Sequence, residues 1–143
     1  MIILSAILAG LTAGAVMGTI SALGRRLGLV KADLVQVDGA FTLRRLRRPV
    51  TGNGIWVAGS LVHLLTSAGI GLAYGVLAWL GLPVLNWAGV AVFTFLLWLS
   101  MLFGALPVAG AGFLGGKAGR TAWLEHLVLE AIFGLVLGLM MGV

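Results

Sequence analysis

Between residue 54 and residue 116 the chain places no Asp, Glu, Lys or Arg at all. A soluble domain needs charge to keep its surface in water, and a run of this length offers none. Leu82, Pro83 and Asn86 divide the run into two apolar pieces, residues 55–80 and 87–106. At about 1.5 Å per residue, each piece can cross a hydrocarbon core about 30 Å thick as a helix that satisfies its own backbone N–H and C=O groups. Residues 2–23 and 122–142 meet the same requirement. The chain as a whole agrees, with 61% of its 143 residues hydrophobic and 9% charged, and a mean hydropathy of +1.16. The expected fold is an all-α integral membrane protein. It forms a single domain over residues 1–143, with four transmembrane helices at 2–23, 55–80, 87–106 and 122–142 and a basic loop at 24–54.

The charges orient this arrangement. All nine basic residues fall within 25–48 or at 117 and 120, in the first and third connections, which four spans put on one side. The positive-inside rule makes that side the cytoplasm and places both termini outside, in a bacterial inner membrane. Residues 2–23 are not read as a secretory signal, because the arginines follow the apolar run instead of preceding it. Trp56 and Trp123 then lie near the inner interface and Trp79 and Trp87 near the outer one, as amphipathic rings prefer. The net charge of +5 is read as topology and lipid contact, not nucleic-acid binding. The absence of cysteine excludes disulfides, thiolate metal sites and covalently attached c-type haem.

An internal repeat organises the rest. His63 to Gly75, HLLTSAGIGLAYG, returns as His126 to Gly138, HLVLEAIFGLVLG, with glycine eight and twelve residues after each histidine. Steps of four keep to one helix face, so His63, Ser67, Gly71 and Gly75 form one stripe, and His126, Glu130, Gly134 and Gly138 its counterpart. Four spans make the two halves parallel repeats with both histidines at similar depth. If the two glycine faces packed on each other, the histidines would converge. In the first span Ala6, Gly10, Gly14, Gly18 and Ala22 make a further small-residue seam, of the kind that admits a neighbouring helix closely.

The loop at 24–54 reads as an amphipathic helix started by Asp33, interrupted at Asp38-Gly39 and stopped by Pro49. Its Arg44, Arg45, Arg47 and Arg48 are placed to reach anionic lipid headgroups. A small hairpin turning at Asp38-Gly39 is the alternative. Pro107 and the glycines after it should end or kink the third span. The Gly-rich stretch 109–119, AGAGFLGGKAG, superficially resembles a phosphate loop, but Ala118 follows Lys117 where that motif needs Ser or Thr.

Ionisable residues inside spans are costly, which makes His63, His126, Glu125 and Glu130 the candidate proton or ligand site. Three uses compete. The groups can be structural, with His126 and Glu130 hydrogen-bonding each other or nearby backbone while Glu125 and the His63 ring reach the headgroups. They can relay protons or cations, although the outer half would offer only Ser, Thr, Asn and Tyr74. Or the two histidines can ligate a b-type haem, with glycine leaving room for a flat macrocycle. No zinc-hydrolase or serine-nucleophile spacing is present, so no enzyme activity and no catalytic residue is expected.

Lys31-Ala-Asp33 with Gly39, His63 with Gly71, Tyr74 and Gly75, Pro107 and Gly112, and His126 with Gly134 and Gly138 together resemble a family of small bacterial four-span membrane proteins. The resemblance implies the four-helix topology and no particular activity. The run of four arginines and Glu130 are not matched by it. The expected function is that of a non-enzymatic accessory subunit, packing through its glycine seams against other transmembrane subunits or itself, for instance in a respiratory or photosynthetic electron-transfer assembly. A homo-oligomeric proton or cation transporter using His63, His126 and Glu130 is the alternative, and a haem-binding subunit the third.

Overall fold

The computed structural model describes residues 1–31, 33–117 and 119–143, and among these every regular element is helical. The chain runs through α1 (Ile2–Arg26), α2 (Leu34–Arg45) and α3 (Gly52–Trp79). It continues through α4 (Trp87–Val108) and α5 (Ala122–Met141). The helices α1, α3, α4 and α5 are each long and apolar enough to cross a membrane, so the chain is an integral membrane protein with four spans. They begin and end within about three residues of the stretches expected from hydropathy.

The bundle is built around α1, which packs antiparallel against both α3 and α5, while α4 leans on α5. Small residues let α1 take that place. A Cβ on Gly10 would lie 2.5 Å from the Ser67 carbonyl oxygen and 2.8 Å from the Gly71 Cα, so the two backbones touch directly. Gly75 is covered by Ile3 and Ala6. In the second half Gly134 lies against Thr94 and Gly138 against the Trp87 ring. The two glycine stripes therefore do not face each other. Each receives the preceding span of its own half, and α1 stands between α3 and α5.

Ala6, Ala9, Ala13 and Met17 of α1 close the core against Tyr74, Val90, Leu129, Phe133 and Leu137. Tyr74 packs edge-on against Phe93, with ring centroids 5.0 Å apart, and its hydroxyl donates to the Val84 carbonyl. These contacts seal the end of the bundle away from the basic loops with apolar side chains. Trp56 and Trp123 are exposed at the basic end, Trp79 and Trp87 at the other.

Two local features depart from expectation. Helix α2 runs unbroken through Asp38-Gly39, and no hairpin forms. Asp33 starts it by accepting hydrogen bonds from the Val35 and Gln36 amides, which would otherwise be orphaned. Gly39 does not interrupt the helix because its missing side chain is what lets α2 cross α3. A Cβ there would collide with the Ile55 carbonyl, and one on Gly59 with the Val35 carbonyl. The helix ends at Arg45, and two residues on Arg47, whose φ of 53° is left-handed, turns the chain toward Pro49. Its apolar face, Leu34, Val35 and Gly39, is buried, leaving Arg44, Arg45, Arg47 and Arg48 exposed.

The second departure lies in α4, which widens into a π turn over Met101–Ala105, with the Leu106 amide bonding to the Met101 carbonyl, before ending at Val108. Pro107 explains the position. Its ring clashes with the carbonyl four residues back and it lacks an N–H, and a wider turn just ahead of it accommodates both.

Candidate functional site

Helix α3 has 28 residues, about 42 Å at 1.5 Å per residue, which exceeds the hydrocarbon thickness by about 12 Å. At the basic end α2 runs antiparallel alongside the first turns of α3. The Gly39–Gly59 crossing therefore carries Asp38 down to the level of His63, a turn beyond Gly59.

His63 is 7% exposed, and both its ring nitrogens are held. Nδ1 lies 3.2 Å from Asp38 Oδ2, and Nε2 lies 3.1 Å from the Gly14 carbonyl oxygen. The Gly14 carbonyl only accepts, so Nε2 carries a hydrogen when this bond is made, while the role of Nδ1 toward Asp38 depends on the tautomer. The seam of α1 admits the ring, since a Cβ on Gly18 would stand 3.2 Å from Nε2. Gly14 and Gly18 thus serve the histidine as well as helix packing. Ser67, one turn further on, donates to the His63 carbonyl at 2.7 Å. Beside the ring a groove of about 360 Å³ opens between α1 and α3, lined among others by Thr19, Arg26, Trp56, Ser60 and His63. It connects the imidazole to the basic end of the bundle.

Glu130 and His126 lie on α5, each 5% exposed. Among the described residues Glu130 Oε2 and His126 Nδ1 are buried without a hydrogen-bond partner, so these two atoms do not bond each other. An unmatched buried polar group costs about 1–3 kcal/mol, and most buried polar atoms of a folded interior are satisfied. Glu130 and His63 lie near each other across the bundle.

Glu125 belongs elsewhere. Oε1 accepts from the Thr121 hydroxyl at 2.8 Å and Oε2 from the Lys31 amide at 2.9 Å. It ties the connection after α1 to the start of α5. Asp38 and His63 are in direct contact, Glu130 lies nearby, His126 stands one turn before Glu130 on α5, and Glu125 is a strut outside this group. Asp38, which reads in the sequence only as a turn residue, is a full member.

The donor set does not suit a haem. Both His63 nitrogens are engaged, and the space beside the four stripe glycines, Gly71, Gly75, Gly134 and Gly138, is filled by Ile3, Ala6, Gly10, Trp87 and Thr94. Among the described residues no three His, Cys, Asp or Glu side chains are grouped to hold a metal ion. The described residues set a carboxylate at the basic end, an imidazole bridging it to α1, and a second carboxylate deeper in the bundle. Comparison with protein-family models, with curated proteins and with solved structures returns no match for this chain.

Proposed function

We propose that the protein is a non-enzymatic membrane protein that takes up protons from its basic, cytoplasmic side and passes them into the bilayer interior through Asp38, His63, Glu130 and His126. The observation that carries this reading is the pair of buried atoms without a partner among the described residues, Glu130 Oε2 and His126 Nδ1, in a bundle whose other buried histidine is gripped at both nitrogens. Ionisable groups kept inside a membrane at such cost mark ion routes. Asp38, 37% exposed on its side chain, collects protons from water. His63 takes a proton at Nδ1 from Asp38, and handing the Nε2 hydrogen on to Glu130 requires the ring to leave the Gly14 carbonyl, which holds a hydrogen bond but takes up no proton. Beyond Glu130 the core is apolar, with Phe133, Leu137 and Tyr74 fully buried. The route is a half-channel in the single chain, and completing it requires a second copy or a movement of α5 against α1.

Purified full-length chain in liposomes tests this through the decay of an imposed pH gradient. Wild type should dissipate the gradient well above empty liposomes, and Glu130→Gln, which keeps shape but cannot carry a proton, should not. A wild-type rate equal to that of empty liposomes overturns the reading.

A second reading, that of an accessory subunit, draws support from one feature. The glycine seams are filled from within the chain, but α3, α4 and the connection between them present an apolar surface at the end opposite the basic loops. It contains an apolar groove of about 490 Å³ lined by residues including Leu77, Leu82, Val92, Phe93 and Leu96. A helix of another subunit would fit there, and the native mass of the protein in mild detergent distinguishes a partnered chain from an isolated one.

A further inference from the structure

We infer that the basic face carries a binding site for a phosphate-bearing anion between α2 and the connection that follows α4. The inference is independent of the proton route and uses none of its residues. A cavity of about 360 Å³ is bounded there by Arg25, Lys31 and Lys117, by the α2 stripe from Asp33 to Arg44, and by the backbone of Ala109–Ala111. Four cations and one carboxylate line it. The carboxylate is directed to its own helix, with Asp33 Oδ1 accepting from the Val35 and Gln36 amides. Among the described residues none of the four cations forms an ion pair with an acid; the single pair found joins Asp38 and His63.

The cations come from separate parts of the chain and are held in place by their surroundings. Arg25 donates to the Lys31 carbonyl at 2.6 Å, which fixes the end of α1 against the turn after it. The Lys31 amide is bonded to Glu125, and its side chain passes so close to Gly119 that a Cβ there would stand 2.8 Å from Nζ. Lys117 folds over Gly112, a left-handed residue with φ of 79°, and its amide bonds to the Ala111 carbonyl. Arg44 closes the far side from the last turn of α2. The Gly-rich connection lacks the threonine or serine of a phosphate loop, and the fold supplies cations from three other segments in its place.

The chemistry of the occupant follows. Convergent Arg and Lys side chains recognise phosphate oxygens through charge-assisted hydrogen bonds. The volume exceeds that of a bare phosphate and leaves room for an organic substituent. The cavity faces the basic end, where a phospholipid headgroup and a soluble phosphomonoester both have access.

Two probes separate those sources: inorganic phosphate, and dihexanoyl phosphatidic acid, each titrated by calorimetry onto full-length protein in a phosphate-free maltoside detergent. Binding of both means a soluble phosphate suffices, and binding of the lipid alone assigns the site to headgroups; either supports the site. Lys117→Gln and Arg44→Gln should each weaken binding about ten-fold, the loss expected for one charge-assisted hydrogen bond. Both residues are exposed, and an unchanged elution profile confirms that the variants fold. The triple variant Arg45→Gln, Arg47→Gln, Arg48→Gln removes three nearby charges outside the cavity and should bind as wild type. Binding of neither probe overturns the proposal. So does equal weakening by the triple variant, which would show a diffuse charge effect instead of a site.

Discussion

Replacing Gly39 by alanine separates an α2 docked tightly on α3 from one that rests loosely on the bundle. Alanine is the better helix former by about 0.5–1 kcal/mol, so a solvated α2 would be stabilised by the change. Docked on α3, the new Cβ would lie 2.8 Å from the Ile55 carbonyl carbon and 3.0 Å from the Gly59 amide nitrogen, with the Ile55 oxygen closer still. These are backbone atoms, which cannot rotate aside. Relief to ordinary contact near 3.4 Å requires α2 to move out by more than half an ångström. That movement also draws Asp38 Oδ2 from 3.2 Å to beyond bonding distance of His63. Overpacking of this kind costs about 1–3 kcal/mol, and after the propensity gain a net loss of about 1–2 kcal/mol remains. Gly69→Ala is the matched control: it lies on α3 with nothing within 4 Å of the added Cβ, and should be neutral or slightly stabilising. Thermal unfolding of both variants in one detergent reads the difference. Equal midpoints, or a Gly39→Ala protein more stable than wild type, would refute the docked α2 and with it the reach of Asp38 to His63.

Further outcomes follow from single contacts. Glu130→Gln should leave stability unchanged or raise it by up to about 1 kcal/mol, because an unmatched buried acid is replaced by a neutral isostere; a loss above about 2 kcal/mol in a thermal melt would show the carboxyl to be structural. Asp38→Asn should cost about 1 kcal/mol, a value limited by the exposure of that side chain, and should slow proton flux, so wild-type flux would remove Asp38 from the route. Arg47→Gly relieves a left-handed backbone at the end of α2 and should stabilise by about 1 kcal/mol; an unchanged melting midpoint would contradict this. Tyr74→Phe deletes the bond to Val84 at the closed end and should cost about 1 kcal/mol, with proton flux raised if that end is the seal.

The features legible in the residues alone are those with a physical period. Span positions are among them, because a membrane imposes a length and an apolar composition that few other structures share. The His63 and His126 stripes are visible as a repeat, and both are buried on their helices. What each stripe faces is not, since glycine at four-residue spacing specifies a close neighbour without naming it, and the neighbours prove to be α1 and α4 of the same chain. Asp38-Gly39 misleads for a related reason. The dipeptide is a common turn signal, and only the α3 backbone beside it turns Gly39 into a packing residue and Asp38 into a partner for His63 across 25 positions of sequence. Glu125 is indistinguishable from Glu130 by composition. Its bond to the Lys31 amide depends on how the turn after α1 folds back, which no local pattern encodes. The four cations of the basic cavity are visible singly, but their convergence is a property of the tertiary fold.

The most direct test of the central claim is the nitrogen-15 magnetic resonance of His63 in protein labelled at histidine and embedded in bilayers, assigned by comparison with His63→Gln. Wild type should show a hydrogen on Nε2, with Asp38→Asn changing the Nδ1 signal while Nε2 remains bonded to Gly14. A ring whose Nδ1 signal is insensitive to Asp38→Asn would contradict the relay.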